Sequence, residues 1–391
     1  MTTPIHWLHV SQRPAQGSKF LKRFATYNYQ HTISNQGGFD TASCDIAVRS
    51  KSEGQSILNN YLGCFVQIYV DNPCQPIWEG LINRITFNSG GSSYTVSLDE
   101  MANRLNCIYT GATNVAAQTV VQNATGSQAI YGIKTAQFEF GADTSLGTGR
   151  SVLSQTMLAQ KTWPQTSYGQ SQGQSNLVHI EFIGIYHTLE WTNRFTGVTT
   201  GLSTFTALIT GTVALDANGT TFYDNTDTSK IGSNTETYPQ QQRGTSIWEI
   251  VQKIAECGDS SNYWICGITP TDFNTRKRVF YYQQANSAIE YTCRQSDGLK
   301  PRNLYGKPIA PWLIRPDRGI RVVDVISGFM PNQGYADPRE TYIQSIQYDA
   351  NTQKVQWFGA DNTTAKAAFM LNRGYKFVSR YFGAPMRTIV T

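Results

Sequence analysis

Gly319-Ile-Arg-Val322-Val-Asp opens, Tyr342-Ile343-Gln-Ser-Ile346-Gln-Tyr348-Asp349 continues and Lys354-Val355-Gln-Trp357-Phe358 closes a stretch that this chain carries twice. The other copy opens with Gly63-Cys-Phe-Val66-Gln-Ile68. It continues with Gly80-Leu-Ile82-Asn-Arg-Ile85-Thr-Phe87-Asn88 and closes with Tyr94-Thr-Val96-Ser-Leu98. Between Ile82 and Val96 each apolar position finds a partner at a constant offset of 261: Ile82 with Ile343, Ile85 with Ile346, Phe87 with Tyr348, Tyr94 with Val355, Val96 with Trp357. The polar tips, Asn88-Ser-Gly-Gly and Asp349-Ala-Asn-Thr, interrupt a period-two alternation, which is the pattern of a β-hairpin. The same hairpin twice predicts two related β-barrels or sandwiches in one chain.

Composition agrees with a mainly β chain. Only 15% of the 391 residues are charged while 12% are aromatic, and the 33 glycines, with Asn, supply turns. At about 150 residues per domain the length allows two or three domains. The net charge of +5 is spread thinly, its densest points being Lys19-Phe-Leu-Lys22-Arg23 and Arg276-Lys-Arg278. Without a basic stripe interleaved with stacking aromatics, no nucleic-acid binding by base contacts is expected.

The start of the chain, Met-Thr-Thr-Pro-Ile-His-Trp, lacks the basic start and apolar run of a secretory signal. No run of about 18 apolar residues occurs, so no membrane anchor is expected. The 7 cysteines are odd in number and scattered, with no CxxC pair. In an unexported protein that pattern predicts reduced, buried thiols and no zinc site. The sequons at Asn123, Asn218 and Asn362 are then inert.

Taken in order, residues 1–112 predict a first β-barrel, with strands at Phe24–Ile33, Ser43–Val48 and Val66–Val70 and a helical connector around Gly54–Tyr61. Its tail, Leu98–Leu105, resembles about one helical turn ending in a strand over Cys107–Tyr109. Residues 113–178 predict a connecting module with a helix near 148–160 and a Gln/Ser/Gly-rich linker over Gln165–Asn176. Residues 179–240 are expected to supply strands of a second barrel, with Leu177–Ile183 and Tyr186–Trp191 as candidates for its first strands. A Thr-rich extension over 194–237 is expected to form an exposed hairpin packing on a neighbouring subunit. Residues 241–307 predict an inserted α+β module, 308–360 the remainder of the second barrel and 361–391 a C-terminal extension.

The module contains the clearest helix. Ser246-Ile-Trp-Glu249 is a capping box, Ile247, Ile250, Val251, Ile254 and Ala255 share one face, and Gly258 stands where a left-handed C-cap belongs. Strands Tyr263–Ile268, Arg278–Tyr282 and Ile289–Cys293 follow it.

The order G-x-x-V-x-I-Y-V-D, W-E-G-x-I-x-x-I and Y-x-V-S-L-D-x-x-x-N-R-L-N resembles the N-terminal domain of bacteriophage tail hub and tail-tip proteins. Gly63, Val66, Tyr69, Asp71, Trp78, Glu79, Gly80, Ile82, Ile85, Asp99, Asn103 and Arg104 carry the match. Gly319, Val322, Ile343, Ile346 and Trp357 mark the corresponding barrel positions of the second copy. The Ser127-Gln-Ala-Ile-Tyr-Gly132-Ile segment and the order helix, strand, Arg278-Val-Phe-Tyr-Tyr, strand are also similar to hub proteins. The resemblance departs at residues 194–237.

Chemistry-bearing motifs are sparse. Gly169-Gln-Ser171-Gln-Gly173 matches G-x-S-x-G, but a nucleophile elbow needs a buried strand before the serine and a helix after it, and a low-complexity tract offers neither. His187-Thr-Leu-Glu190 supplies two potential metal ligands, an incomplete set. No P-loop, dinucleotide fingerprint or paired Cys/His spacing is present, so no catalytic residues, metal or cofactor are expected.

The resemblance implies a structural virion protein of the phage tail, assembled in the host cytoplasm, and not an enzyme. It implies a hub or tip that closes the tail tube and joins a six-fold tube to a three-fold spike or fibre. The implied partners are two further copies in a homotrimer, the tail tube or distal tail protein, a spike or fibre protein and the tape-measure protein. Two alternatives stand beside it: a distal tail or adsorption protein forming a six-fold ring with host-binding modules, and a tail-associated hydrolase.

Overall fold

Alternating residues become strands because one side chain in two can be buried while its neighbours face water. The computed structural model describes residues 4–17, 19–71, 75–110, 116–118, 121–140, 155–170, 176–193, 203–238, 246–259, 262–286, 288–294, 296, 298–322 and 339–361. The fold is mainly β with a minor α+β part. The N-terminal half runs β1 (His6–Ser11), β2 (Phe20–Ala25), β3 (Tyr27–Ser34), β4 (Gly38–Ala47), α1 (Lys51–Asn60), β5 (Phe65–Val70), β6 (Trp78–Ser89) and β7 (Ser92–Ser97). Then follow β8 (Arg104–Thr110), α2 (Thr125–Tyr131), β9 (Thr135–Phe140), β10 (Gln165–Gln170) and β11 (Leu177–Ile183). The remainder runs α3 (Phe205–Ala214), α4 (Ile247–Cys257), β12 (Trp264–Ile268), β13 (Phe280–Gln284) and β14 (Ile289–Cys293). It ends with β15 (Arg302–Asn303), β16 (Arg318–Val322), β17 (Arg339–Asp349) and β18 (Lys354–Asp361).

The two repeated hairpins are β6–β7 and β17–β18. Ile85 pairs with Val96 and Phe87 with Tyr94 in the first; Ile346 pairs with Trp357 and Tyr348 with Val355 in the second. Both registers therefore obey the offset read from the sequence. A 14-stranded sheet carries both hairpins in the order β15-β14-β16-β17-β3-β4-β11-β6-β5-β1-β2, with β18 on β17, β7 on β6 and β10 on β7. Within it, β10-β7-β6-β11-β4-β3-β17-β18 is an unbroken antiparallel ribbon of eight strands. One apolar core underlies both halves, from Leu8, Val66, Trp78 and Ile85 to Ile254, Ile343 and Tyr348.

Several expectations change. Leu177–Ile183, expected among the second barrel's strands, lies between β4 and β6, pairing Ile180 with both Cys44 and Ile85. Alternation decides that a strand forms, not which edge it joins. Tyr186–Trp191, expected to be a strand, is replaced by a short 3-10 helix over Ile185–Leu189, whose Tyr186 and Leu189 enter the core. The exposed hairpin expected over 194–237 is contradicted where the chain is described. α3 runs from Phe205 to Ala214, capped by the Thr204 hydroxyl accepting from the Ala207 N–H at 3.2 Å. Its Phe205, Leu208, Ile209, Thr212 and Val213 are buried at helical spacing, so tertiary burial overrides a Thr- and Gly-rich composition of low helix propensity. Gln165–Gln170 of the expected linker is strand β10, added to β7. Arg104 starts strand β8 where a helical turn was expected. The helix expected near 148–160 is helical over 155–161; residues 148–154 lie outside the described residues, as do residues 171–175, 194–202 and 362–391.

Candidate functional site

The family-motif positions fall into two groups. Val66, Trp78, Ile82, Ile85, Ile343 and Ile346 are buried core, and Trp357 is half-buried against it. Gly319 and Val322 lie on β16, paired with Tyr342 and Arg339 of β17. The second group makes long-range hydrogen bonds and close backbone contacts with other segments of the chain.

Trp78-Glu79-Gly80 makes one such set of contacts. Trp78 packs its ring against Phe39 and Phe182. Gly80 lies under the chain of β11, where an added Cβ would overlap the Ile183 carbonyl oxygen and the Trp78 ring. Between them Glu79, 1% exposed, accepts at Oε1 from the Thr271 N–H at 2.7 Å and the Thr271 hydroxyl at 2.9 Å, and at Oε2 from Gln67 Nε2 at 3.1 Å. Thr271 follows β12, so this buried carboxylate ties the segment after β12 to β6. Hydrogen bonds to charged groups contribute about 1.5–3 kcal/mol each when buried.

The turn Asn35-Gln36-Gly37-Gly38 also holds β12. Gln36 Nε2 donates to Tyr263 Oη at 3.0 Å and to the Trp264 carbonyl at 3.1 Å, while its Oε1 accepts from the Cys266 N–H at 3.0 Å. Gly37, at φ 94°, donates its N–H to the Cys266 carbonyl at 2.7 Å, with the Tyr186 ring filling the place of a side chain. The turn lies between β3 and β4, and no local spacing in the sequence signals these contacts with β12.

Asn103 and Gly63 anchor the connecting module. Buried Asn103 donates to the Gly132 carbonyl at 2.8 Å and to Ser127 Oγ at 3.3 Å, and accepts from the Lys134 N–H at 2.8 Å. Gly63, at φ 74°, donates to the Ile82 carbonyl at 2.8 Å and faces the Tyr131 ring. Burial lowers the pKa of the neighbouring Arg104.

Titratable groups cluster structurally. His187 bonds Asp40 through Nε2 at 3.0 Å and Glu190 through Nδ1 at 3.1 Å. Burial opposes its charge, but the two carboxylates outweigh that and raise its pKa to about 9. His187, through Asp40, thus ties the Ile185–Leu189 turn to β4, while Glu190 holds its ring from within the turn. A second cluster joins His6 Nε2 to Tyr348 Oη at 3.2 Å and Tyr29 Oη to His31 Nδ1 at 2.9 Å. Both histidines are buried, and desolvation lowers His6 to about 4 and His31 well below its ordinary value. Asp317, buried beneath Tyr342, accepts from its hydroxyl at 2.8 Å and from the Asn286 N–H at 2.7 Å, and burial raises it to about 6. Among the described residues no group of three or more His, Cys, Asp or Glu could hold a metal ion. Gly169 lies on exposed β10, and Ser171 and Gly173 of the elbow-like motif lie outside the described residues.

The outer surfaces of the ribbon are its edges. β10 pairs only with β7 and β18 only with β17 among the described residues. Tyr168 on β10 is 76% exposed and Phe358 on β18 is 50% exposed.

No family model and no curated protein matches the sequence. Solved structures do match, at low identity. The tail protein from Neisseria meningitidis MC58 is 9% identical with a TM-score of 0.41, covering 91% of this chain and 97% of that one. The 43 kDa tail protein of prophage MuSo2 from Shewanella oneidensis is 7% identical with a TM-score of 0.41, covering 93% and 99%. An E. coli type VI secretion component, described as structurally similar to the T4 bacteriophage tail proteins gp27 and gp5, is 8% identical with a TM-score of 0.40, covering 86% and 73%.

Proposed function

We propose that this chain is a structural ring component of a phage-type tail, the hub or tip that closes the tail tube. Three copies would present six similar hairpin units, a device for joining a six-fold tube to a three-fold spike or fibre. The observation that carries the reading is the internal repeat: β6–β7 and β17–β18 share residue pairing at one offset on one sheet. A chain that offers the same unit twice can meet a ring of twice its own symmetry. The division into two β units with inserted modules belongs to this proposal, with Leu177–Ile183 now placed between β4 and β6 of the first unit. The tail tube or distal tail protein, the spike or fibre protein and the tape-measure protein are its proposed partners.

Native mass spectrometry at high protein concentration, with symmetry analysis of the assembled particle, tests the reading. Three copies per ring are expected. Six copies would favour a distal tail ring, and a chain that stays monomeric at every concentration would overturn both.

A further inference from the structure

We propose that the cavity between β3, β12, β13 and the Arg315–Arg318 segment binds a carboxylate carried on an apolar body. The site is independent of the tail reading above.

The segment Arg315-Pro-Asp-Arg318 leads into β16. A proline keeps the residue before it extended, and the Arg315 N–H donates to Tyr291 Oη at 3.2 Å. Packed against β3, β12 and β13, the segment helps to line a cavity of about 330 Å³. That is the small end of the ~300–1,000 Å³ range of ligand sites, which set a few polar groups in an apolar lining. The apolar lining here is Ile33, Phe39, Ile265 and Ile268, all buried.

The charged lining is unbalanced. Arg318 is paired with Glu290 at 2.7 Å and with Asp317 at 3.3 Å. Arg315 has no carboxylate within ion-pair distance among the described residues. Its Nη1 donates to the Trp312 carbonyl at 3.0 Å and the Ile314 carbonyl at 3.2 Å, and its Nε and Nη2 reach no acceptor there. The titratable groups that share its field, Tyr291, Tyr29 and His31, are not anions at neutral pH. Burial lowers the pKa of Arg315, but a guanidinium stays protonated. Lys230, exposed at the same cavity, forms no ion pair among the described residues either.

Two cations without a counter-charge, beside an apolar wall, suit a carboxylate with an apolar tail. A charge held in a poorly hydrated wall is costly until an opposite charge joins it. The class is narrowed further by Asp317, whose carboxylate lines the same cavity. Like-charge repulsion from it weighs more heavily on a doubly charged phosphate than on a single carboxylate.

Isothermal titration calorimetry of the full chain with phenylpropionate and hexanoate tests the site, with phenylpropionamide and phenyl phosphate as controls. Both carboxylates are expected to bind, and the amide and the phosphate to bind at least ten-fold more weakly. Arg315→Gln should weaken phenylpropionate at least ten-fold, the scale of one lost hydrogen bond between charged groups. Arg315 also holds two carbonyls, so variants at the exposed positions Gln283 and Lys230 of the cavity separate binding from folding. Gln283→Glu adds an anion and should weaken phenylpropionate about ten-fold, and Lys230→Gln about three-fold, both with unchanged unfolding midpoints. A peptide ending in phenylalanine, with a free or an amidated end, identifies the source of the carboxylate. Tighter binding of the free-ended peptide than of phenylpropionate assigns the site to a chain terminus, and weaker binding assigns it to a small molecule. Failure of both carboxylates to bind, equal binding of the amide, tighter binding of the phosphate, or binding untouched by Arg315→Gln and Gln283→Glu would overturn the site.

Discussion

Asn83 and Gln344 occupy the same place in the two halves of the chain, each the residue at which its long strand bulges. The β6–β11 ladder passes from Arg84 to Ile82 while its partner advances from Glu181 to Phe182, leaving Asn83 unpaired in register. The β17–β18 ladder passes from Ile343 to Ser345 while its partner moves from Gly359 to Phe358, leaving Gln344 so. A bulge adds local twist and bends a strand. The two bulges face different neighbours, β11 for Asn83 and the hairpin partner β18 for Gln344, so the position of the irregularity recurs at the offset while its partner strand does not.

Removing the Glu79 clamp should loosen the α+β module. Glu79→Ala leaves the Thr271 N–H and hydroxyl without their acceptor and is expected to cost about 2–4 kcal/mol. Glu79→Gln keeps one acceptor oxygen and should cost less than half of that. Urea unfolding of both variants, with hydrogen exchange at Thr271, checks the order.

Gly80→Ala drives a methyl into the Ile183 carbonyl and the Trp78 ring. Overpacking of this kind costs about 1–3 kcal/mol, and backbone on one side leaves little room to relax. Gly90→Ala, at a turn with open space, is the control for methyl addition, although its φ of 60° carries some strain. A lower midpoint for Gly80→Ala than for Gly90→Ala is expected in thermal unfolding.

Ser246 Oγ accepts from the Glu249 N–H at 3.1 Å, so Ser246→Ala should lower stability by about 1 kcal/mol. The reciprocal half of the predicted capping box is replaced by a Glu249–Lys253 ion pair. Glu249→Gln is accordingly expected to have a smaller effect, both readable from denaturant midpoints.

Stability should fall on both sides of neutrality. His6 is buried neutral with its pKa lowered to about 4, so its contribution is present above about 6.5 and is lost as pH falls towards 4. His187 is held charged with its pKa near 9, so its contribution is full below about 6.5 and is lost as pH rises through 9. His6→Gln should flatten the acid limb of a stability–pH curve, and His187→Gln the alkaline limb. Unchanged limbs would remove these groups as the cause.

Cys44, Cys64, Cys257, Cys266 and Cys293 are free and buried. Alkylation without reductant should be slow on the folded chain and should reach all 7 cysteines of the sequence once it is unfolded. A mass shift short of seven labels would reveal a bridge.

Local pattern was enough to determine much of this protein. Period-two alternation placed the hairpins and their register, because burial of one face admits only one pairing. Ser246, the Ile247–Ala255 face and Gly258 defined α4, since capping and helical spacing are near-neighbour properties. Tertiary structure alone decided that Leu177–Ile183 enters between β4 and β6, that Gln165–Gln170 adds to β7 and that Phe205–Ala214 is a helix. It also decided that Glu79 and Gln36 are clamps. Their partners, Thr271 and Cys266, lie 192 and 230 residues away, and no local spacing encodes a contact at that separation. A strand edge, likewise, is chosen by whichever segment the folded core brings beside it.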